Sequence, residues 1–495
     1  MLTDEGEGGQ DKLPGFESES GACTRPQGGS RCARVIRLMR IAWFSPLPPH
    51  RSGIAAYSAE LLPRLAAHDI EAFVDDTAGH DAVERAARVD GAAIRGAHDF
   101  PWRHARRAFD VVVYHVGNSE AHDYLWPYMV RYPGLVVLHD GQLHQARAQA
   151  LIRQKRESDF RAEFTWSYPD VSPLIADLVV AGLGGTLSYF WPMVHVPVQA
   201  ARVVAVHSGT LARDLAEAFP GSDIRHVHMG VADPLARALA PGREVRQRHG
   251  IPDSAVVFAS FGRVTPEKGL SAVLRAMAQV GPALPAIRLL VAGEAAGHYD
   301  LMAEARELGV ADRVTELGYL PDAALPEYLA AADVCLNLRW PTGRETSAAW
   351  LRCLAAGKPT VITDLLHTAD VPSLDLRSMK VTSTLPGEHE AVCVHVELVD
   401  EVHMLRLALR RLTEDTALRA RLGSAARRYW EAQGTLELMA RDYEGLLTAA
   451  RAAADPVPPA GWPAHLRADG TGLARALTSD IGVPYPFDAP AAGRL

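Results

Sequence analysis

The hydrophobic positions of the chain follow two periods, which alternate from about residue 40 to residue 400. Short, continuous apolar runs, such as residues 41–44 and 256–261, are typical of strands buried on both faces of a parallel sheet. Stretches with apolar residues at helical spacing separate these runs, and residues 54–65 are one of them. Strands that alternate with helices predict doubly wound α/β domains, in which helices cover both faces of a parallel sheet.

The alternation falls into two series, separated by a connector rich in Gly, Pro and Ala at residues 230–241. The first series covers residues 39–230 and the second covers residues 231–434, so we predict two Rossmann-like α/β domains in tandem. Ligands of open α/β sheets bind outside the carboxyl ends of the strands. Two such sheets facing each other therefore predict a substrate site in the cleft between them.

Both ends of the chain differ from its middle. Residues 1–38 are rich in Gly, Glu, Ser and Arg and lack the apolar core of a signal peptide, so we predict a disordered extension. Residues 455–495 form a Pro/Gly/Ala-rich tail, which we also expect to be poorly ordered.

The composition narrows the class of protein. A length of 495 residues exceeds a single ordinary core, and 48% hydrophobic with 22% charged residues is typical of a globular enzyme. A net charge of −8 argues against nucleic acid as a partner, so any positive site must be local. The five cysteines lack the spacing of a disulfide framework or a zinc site, which favours a cytoplasmic location.

The uncharged stretch of residues 178–201 is long enough to be weighed as a membrane span. Its glycines and prolines, and the lack of a second such stretch, argue against that interpretation. We expect a partly buried helix followed by a loop that lines the cleft. The remaining alternative is a peripheral contact with a membrane, at its inner face.

The second series opens with a candidate anion site. The apolar run 256–261 ends at Gly262, and Arg263 and Lys268 follow just before an amphipathic helix. A strand-to-helix loop presents free N–H groups and the positive end of the helix dipole, and two cations would complete a site for a diphosphate. The alternative is an ordinary loop whose Arg and Lys side chains are only solvated.

These residues match a known motif. Gly262, Arg263 and residues 266–269 fit the pattern GRxxPEKG, and residues 39 to about 453 resemble the retaining family-4 glycosyltransferases of GT-B fold. The resemblance implies an acceptor-binding first domain that faces a nucleotide-sugar-binding second domain across a cleft. It also implies that Arg263 and Lys268 bind the donor diphosphate. A helix at about residues 435–453 is expected to cross back and complete the first domain.

The first domain carries the acceptor half of the resemblance. Gly53 and Tyr57 match the family's glycine loop after the first strand, where glycine lets the backbone approach a phosphate or sugar closely. His139, at a strand end, matches a histidine that contacts the transferred sugar, and Asp140 and His144 are candidates for orienting the acceptor. An ordinary turn glycine and a structural histidine are the alternative interpretations.

The donor half continues on a loop and helix before residue 357. Glu345 matches the first of two family glutamates and is expected to bind hydroxyls of the donor sugar, while Thr346 or Ser347 is expected to cap the helix and present N–H groups to the ligand. Arg352 replaces the second glutamate; it can hold ribose or phosphate, or it can pair with Glu345 on the same helix face. Weaker matches in the nucleotide pocket are Gly293, Glu294 and Leu320.

The resulting hypothesis is a retaining transferase that moves a hexose from a nucleoside diphosphate sugar to an acceptor hydroxyl. Its expected catalytic residues are His139, Arg263, Lys268 and Glu345. The sequence shows no metal-ligand constellation and no G-x-G-x-x-G fingerprint, so we expect no metal and no cofactor besides the nucleotide-sugar co-substrate. A sugar phosphorylase or sugar-phosphate synthase on the same fold stays an alternative, as does a non-catalytic nucleotide-sugar binding protein. The acceptor can be a glycan, a lipid-linked compound or a small molecule.

Overall fold

The structure, a computed structural model, describes residues 38–76, 88–236, 242–281, 283–284, 286–468 and 471–483. The predicted disordered extension lies outside the described residues, apart from Leu38. Residues 484–495 of the predicted tail lie outside them as well.

The first sheet is parallel throughout, as the continuous burial of its strands predicts. Its strands are β1 (Arg40–Phe44), β2 (Asp69–Val74), β3 (Ala93–Gly96), β4 (Val111–Val116), β5 (Leu135–Leu138), β6 (Val203–Val206) and β7 (Ile224–His226). Their spatial order is β3-β2-β1-β4-β5-β6-β7. The order reverses between β1 and β4, so the loops after these strands diverge and leave room for a ligand.

The second sheet is parallel except for an antiparallel pair at one edge. Its strands are β8 (Val256–Phe261), β9 (Ile287–Ala292), β10 (Val314–Glu316), β11 (Val334–Asn337), β12 (Thr360–Thr363), β13 (Ser373–Asp375), β14 (Lys380–Thr382) and β15 (Cys393–Val396). Their order is β10-β9-β8-β11-β12-β15-β13-β14, with β13 and β14 as the antiparallel pair. Here the strand order reverses between β8 and β11, and the predicted anion site is the loop that follows β8.

Helices cover both sheets. The first domain contains α1 (Gly53–Leu61), α2 (Phe100–Arg106), α3 (Trp126–Arg131), α4 (His144–Arg153), α5 (Glu157–Ser167), α6 (Leu174–Val180), α7 (His195–Ala200) and α8 (Gly209–Ala218). The second contains α9 (Gly242–Arg248), α10 (Leu270–Val280), α11 (Leu301–Glu307), α12 (Leu325–Ala331) and α13 (Ala348–Ala355). The C-terminal helices are α14 (Glu401–Glu414), α15 (Thr416–Gln433), α16 (Leu436–Ala452), α17 (Ala464–Arg467) and α18 (Gly472–Asp480).

Helix α16 returns the chain to the first domain. It packs against α1 and against strands β4, β5 and β6. Its buried residues share one hydrophobic core with Trp43 on β1 and with Trp350 on α13. The Tyr443 hydroxyl on α16 lies 2.7 Å from the Tyr57 hydroxyl on α1. This shared core holds the two domains in contact beside α13, the helix that carries part of the predicted donor site.

The start of the C-terminal tail is more structured than its composition predicts. Trp462 and Leu466 are buried in the hydrophobic core of the first domain. The His465 ring lies 2.7 Å from the fully buried carboxylate of Glu163, and Arg202 pairs with Asp455 at 2.7 Å. Two large apolar side chains and two polar contacts therefore fix residues 455–468, although proline and glycine are frequent there.

The uncharged stretch at residues 178–201 contains only short helical pieces. It covers the end of α6, a 3₁₀ turn at Gly185–Phe190 and α7. Among the described residues, none of the helices combines the length and apolarity needed to cross a bilayer. Leu183 and Phe190 are nevertheless exposed, with 68% and 72% of their surface accessible.

Candidate active site

A cavity of about 310 Å³ lies between the two domains, at the carboxyl ends of their strands. The second domain lines it with Lys268, Glu345 and the start of α13, and the first domain contributes the β6-to-α8 turn and residues after β7. The predicted donor residues Lys268, Glu345, Thr346 and Ser347 all lie on its wall.

Lys268 lies buried in the 3₁₀ turn that follows β8. Its Nζ donates a hydrogen bond of 3.2 Å to the carbonyl oxygen of Phe261. Burial lowers the Lys268 pKa to about 8; nearby Arg339 lowers it further, while Glu345 acts in the opposite direction. Gly262 has a φ of +101°, which favours glycine, and a side chain there would lie 3.4 Å from the lysine nitrogen. The ammonium is therefore held in a cavity that is poor in compensating charge.

Arg263 differs from Lys268 because its side chain is exposed. Within the described ranges no hydrogen bond or ion pair of its guanidinium is found. Its neighbour Gly262 touches Gly293 so closely that a side chain at Gly293 would come within 2.0 Å of the Gly262 carbonyl oxygen. The glycine at residue 293 is thus required by contact between two strand-end loops. The cation at residue 263 stays available to a ligand.

Glu345 and Ser347 form the start of the helix unit. The Glu345 carboxylate accepts from Arg339 at 2.5 Å and from the Thr342 hydroxyl at 3.1 Å. Ser347 caps α13, since its hydroxyl accepts a hydrogen bond of 3.2 Å from the Trp350 N–H. Ser347, Trp350 and Leu351 line the same cavity, so the N-terminal end of α13, which is the positive end of the helix dipole, borders it.

Arg352 does not pair with Glu345, which was one of the two expectations for it. Its guanidinium donates to Glu60 on α1 at 2.8 Å, while Glu345 bonds to Arg339. The second oxygen of Glu60 accepts from the Ala232 N–H at 3.2 Å. Through Glu60, Arg352 thus connects α13 to the first domain and to the connector between the domains.

The predicted acceptor residue His139 lies among neighbouring imidazoles. The His139 Nε2 lies 2.9 Å from the His115 Nδ1, and the His139 ring centroid is 5.1 Å from that of His207. Burial lowers the His139 pKa well below its usual value, and the positive charge that His207 or His115 would carry lowers it further. The rings of Tyr57 and His139 pack in a T-shaped arrangement with centroids 4.8 Å apart. His139 is therefore neutral and held in place by its neighbours.

Asp140 lies where the two domains meet. Its Oδ2 accepts from the Asn118 N–H at 2.7 Å, and the next residue, Gly141, donates its N–H to the Gly343 carbonyl at 2.7 Å. A side chain at Gly343 would meet an oxygen of Asp140 and an oxygen of Glu345, both at 3.2 Å, so the two carboxylates flank this glycine. Burial raises the Asp140 pKa to about 7, and the negative charge of Glu345 contributes.

Three other predicted acceptor-side residues have different surroundings. The Tyr57 hydroxyl is bonded to Tyr443, so this residue supports His139 with its ring. The His144 ring packs against Phe160 and Phe164, and its Nδ1 lies 2.8 Å from the Trp191 carbonyl oxygen, which places it in the helical layer. Gly53 begins α1, and a side chain there would meet no atom within 4 Å, so the space beside it is open.

The expected nucleotide pocket lies on the other side of Gly262. The Gly293 N–H donates to the Gly318 carbonyl at 2.8 Å, and the Glu294 carbonyl accepts from Val264 at 2.9 Å. Glu294 is exposed and Leu320 is half-buried. Arg51, on the loop after β1, stacks on Tyr319 with its guanidinium carbon 4.1 Å from the ring centroid. A loop of the first domain therefore touches the turn expected to meet the nucleotide base.

Several residues at the cavity escaped prediction from the sequence. They are His207, Asn337 and Arg339 on the cavity wall, together with Asn118, which bonds to Asp140, and His115, which contacts His139. The available signal was a polar residue within, or just after, an apolar strand run, as in His115 on β4 and Asn337 on β11. Nothing in the sequence places these distant segments together. Across the described ranges, no group of three or more His, Cys, Asp or Glu side chains is arranged to hold a metal ion.

The family profile that matches this chain covers part of the second domain. The profile of the family Glycosyl transferases group 1 matches residues 242–371. A D-inositol 3-phosphate glycosyltransferase of Segniliparus rotundus is 41% identical over 112 residues, 22% of this chain and 24% of the relative. A GDP-mannose-dependent monoacylated alpha-(1-6)-phosphatidylinositol monomannoside mannosyltransferase of Corynebacterium glutamicum is 28% identical over 210 residues, 41% of this chain and 49% of the relative. The matched stretches thus span less than half the length of these relatives.

Solved structures extend the likeness to both domains. HepE of Anabaena, in complex with UDP and glucose, superposes with a TM-score of 0.55 at 16% identity, over 83% of this chain and 99% of that one. Sucrose-phosphate synthase of Thermosynechococcus elongatus gives a TM-score of 0.56 at 17% identity, over 82% and 98% of the two chains. The predicted fold class is confirmed: the chain has the GT-B fold, and residues 242–371 of its second domain are similar to the group 1 glycosyl transferases.

Proposed function

We propose that the protein is a retaining glycosyltransferase that moves a hexose from a nucleoside diphosphate sugar to an acceptor hydroxyl. The observation that carries this proposal is the placement of Lys268, Glu345 and the start of α13 on the wall of one interdomain cavity. A cation and a helix N-terminus suit a diphosphate, and a carboxylate suits sugar hydroxyls. The partial likeness to relatives that are named glycosyltransferases supports the same activity.

The protein would contribute most to catalysis by stabilising the negative charge of the leaving group. Negative charge develops on the phosphate oxygen as its bond to the anomeric carbon breaks, and a fixed cation in a buried cavity stabilises that charge strongly. Protonated Lys268 and the first-turn N–H groups of α13 would take this role. Arg263, which is exposed on the same loop, would bind the diphosphate from the solvent side. With these groups in place we expect transfer to persist in the presence of EDTA.

The acceptor hydroxyl would lose its proton to the departing phosphate oxygen. The bond between the acceptor oxygen and the anomeric carbon forms on the face where the bond to phosphate breaks, so the configuration is retained. Neutral His139 would position a hydroxyl through its ring without removing the proton, because its low pKa makes it a weak base. Glu345 would orient the donor sugar, since Arg339 and Thr342 hold its carboxylate in place.

Release of nucleoside diphosphate tests this proposal. Wild-type protein, incubated with nucleotide sugar and a panel of acceptors, is expected to release nucleoside diphosphate and form a glycoside with the anomeric configuration of the donor. A product of inverted configuration would contradict retention. Sugar phosphate formed with phosphate as co-substrate would favour the phosphorylase alternative, and binding with no product in any combination would favour a non-catalytic binding protein.

The donor can be identified by thermal shift. UDP-, GDP- and ADP-sugars compete for the same proposed site, and a ligand at a hundred times its dissociation constant adds about 2.7 kcal/mol of stability. We expect one nucleotide class to raise the melting temperature clearly more than the other two. If none of them shifts the midpoint, the donor site proposed here is contradicted.

For the acceptor we propose a compound presented at a membrane surface. Leu174, Leu183 and Phe190, three large apolar side chains in or next to the uncharged stretch, are exposed on the first domain. Exposed apolar side chains of this size are favourable at the lipid headgroup boundary. The test is co-sedimentation with liposomes, and the lipid-linked acceptor is abandoned if the protein stays in the supernatant with both neutral and anionic vesicles.

A further inference from the structure

The loop before α13 touches the first domain at more than one point. The Gly343 carbonyl oxygen accepts a hydrogen bond of 2.7 Å from the Gly141 N–H, in the loop after β5. The Arg344 guanidinium pairs with Asp214 on α8 at 2.5 Å. Gly141 and Asp214 belong to the first domain, and Gly343 and Arg344 belong to the second. Both bonds therefore exist only while the two domains are in contact.

The same contact brings together two carboxyl groups, one from each domain. A side chain at Gly343 would lie 3.2 Å from the Oδ1 of Asp140 and 3.2 Å from the Oε2 of Glu345. Glu345 has a positive partner, because Arg339 pairs with it at 2.5 Å. In the described part of the chain, Asp140 accepts from the neutral Asn118 N–H at 2.7 Å and forms no ion pair. Two carboxylates this close repel each other when both are ionised.

The surroundings of this carboxyl pair leave the charge of Asp140 uncompensated. Burial lowers the pKa of the His122 and His367 rings to about 4, so both rings are neutral. The His139 ring is neutral for the same reason. Burial raises the Tyr189 pKa, so its hydroxyl keeps its proton. The second domain adds charged residues of both signs at or next to the loop before α13, namely Glu267, Lys268, Arg339 and Arg344.

The ionisation of Asp140 is linked to the domain contact. Burial raises its pKa from 3.8 to about 7, Glu345 adds to this rise, and Asn118 and Arg339 oppose it less strongly. When the domains separate, the carboxyl group moves away from Glu345 and meets water, so its pKa returns towards the ordinary value. The closed arrangement thus binds a proton that the open one releases between about pH 4 and about pH 7. Closing becomes less favourable as the pH rises through this range.

We propose that Asp140 and Glu345 form a proton-dependent latch between the domains, in which the closed arrangement holds one more proton than the open one. Loss of this proton leaves two facing carboxylates and favours opening. The latch goes beyond the proposed transfer and does not depend on it, because it requires only the contact between the loops of Asp140 and Gly343. It makes access of any ligand to the interdomain cavity sensitive to pH near neutrality.

Hydrogen exchange at the Gly141 amide tests the latch in the ligand-free protein, because this N–H is bonded across the interface. Mass spectrometry with electron-transfer fragmentation gives its protection factor, which corrects for the intrinsic pH dependence of exchange, from about pH 5 to about pH 8. The Gly293 N–H, bonded within the second domain to Gly318 at 2.8 Å, is the control for changes in overall stability.

Two variants separate the latch from a general loosening of the interface. Asp140→Asn removes the titrating group, and its amide oxygen can still accept from the Asn118 N–H. Arg344→Ala removes the ion pair with Asp214 and keeps both carboxyl groups. The melting temperature of each variant checks that it is folded.

In wild type we expect the Gly141 protection factor to fall by up to about tenfold per pH unit between about pH 5 and about pH 7, and that of Gly293 to change less. Asp140→Asn should lack this slope and be protected at least as well at every pH. Arg344→Ala should lose protection by a similar factor at every pH and keep the slope.

Three results would overturn the latch. They are a wild-type protection factor that does not depend on pH, a slope that persists in folded Asp140→Asn, and protection that increases with pH, as titration of a buried histidine would produce. Because no ligand is present, these results are independent of the proposed function. A protein that binds no nucleotide would contradict the proposed transferase and leave the latch supported if the expected slopes are found.

Discussion

The two sides of the interdomain cavity differ in charge. On the second-domain side, which is proposed to bind the donor, stand the ammonium of Lys268 and the start of α13; the exposed guanidinium of Arg263 lies on the same loop as Lys268 but not on the cavity wall. On the first-domain side, which is proposed to bind the acceptor, the neutral imidazole of His207 lines the cavity. Neutral His139 lies next to His207 with ring centroids 5.1 Å apart, and Asp140, with a pKa of about 7, lies where the two domains meet. A charged wall suits a ligand that arrives and leaves as an anion, and a neutral wall suits hydroxyls that stay uncharged until transfer. Under the proposed function, this difference would keep the leaving group and the acceptor on opposite sides of the cavity.

Removing the buried cation of Lys268 should have the largest effect on turnover. Lys268→Met keeps the aliphatic stem and deletes the charge that would stabilise the leaving diphosphate. Loss of one preorganised group of this kind costs about 10²- to 10³-fold in turnover, so we expect kcat to fall by that much. Steady-state kinetics of nucleoside diphosphate release measures it, with the exposed Lys380→Met as a control of the same chemistry. If the Lys268→Met enzyme were as active as the Lys380→Met control, the proposed role of Lys268 in stabilising the leaving diphosphate would be contradicted.

The acceptor side is tested through Asp140. Its pKa is raised from 3.8 to about 7 in the folded protein, so the folded state binds a proton that the unfolded state releases between these values. The free energy of unfolding therefore falls as the pH rises from about 4 to about 7. Asp140→Asn removes this loss, and we expect its melting temperature to exceed that of wild type by more at pH 8 than at pH 5. An identical difference at both pH values would show that the buried carboxyl ionises normally.

We expect a smaller effect, on stability only, from the ion pair of Arg352 and Glu60 that connects the two domains. If this contact only holds the domains together, Arg352→Ala and Glu60→Ala should destabilise the protein to a similar degree. Their double-mutant cycle should give a coupling of about 0.5–3 kcal/mol, with nucleotide affinity unchanged. The exposed pair of Arg410 and Glu414 is the control, and its coupling should be well below 1 kcal/mol. A selective loss of nucleotide affinity in Arg352→Ala alone would return this arginine to the donor site.

The smallest effect concerns the outer surface of the first domain. Phe190→Asp places a charge on a side chain that is 72% exposed and whose ring contacts the neighbouring Trp191, with centroids 6.0 Å apart. Because only a membrane contact would sense this change, we expect loss of liposome co-sedimentation with little change in melting temperature. Turnover on a water-dispersed acceptor should stay within about twofold. If Phe190→Asp co-sedimented with liposomes as well as wild type does, the proposed membrane contact would be contradicted.

How much the sequence predicts depends on how far apart the contributing residues lie. Gly262, Arg263 and Lys268 form one strand-end segment, and the cap at Ser347 depends on the adjacent residues, so local pattern is enough to predict the position of both in the fold. The partner of Arg352 lies 292 residues away, and no local pattern indicates it. His115 and His139 meet because β4 and β5 are adjacent in the sheet. The fold could be predicted because many segments independently show the alternating hydrophobic patterns of strands and helices. The contacts around His139 depend on residues that are distant in the sequence, and only the folded structure brings them together.

The most direct test of the central claim is how affinity depends on the number of phosphates. Calorimetry compares UDP with UMP and GDP with GMP in wild type, in the double variant Arg263→Ala and Lys268→Met, and in Lys380→Met. We predict that wild type and Lys380→Met bind the diphosphate of one base at least about tenfold more tightly than the monophosphate, and that the double variant loses this preference. Equal affinities for the diphosphate and the monophosphate in wild type, or a preference that survives in the folded double variant, would contradict a diphosphate site at Arg263 and Lys268.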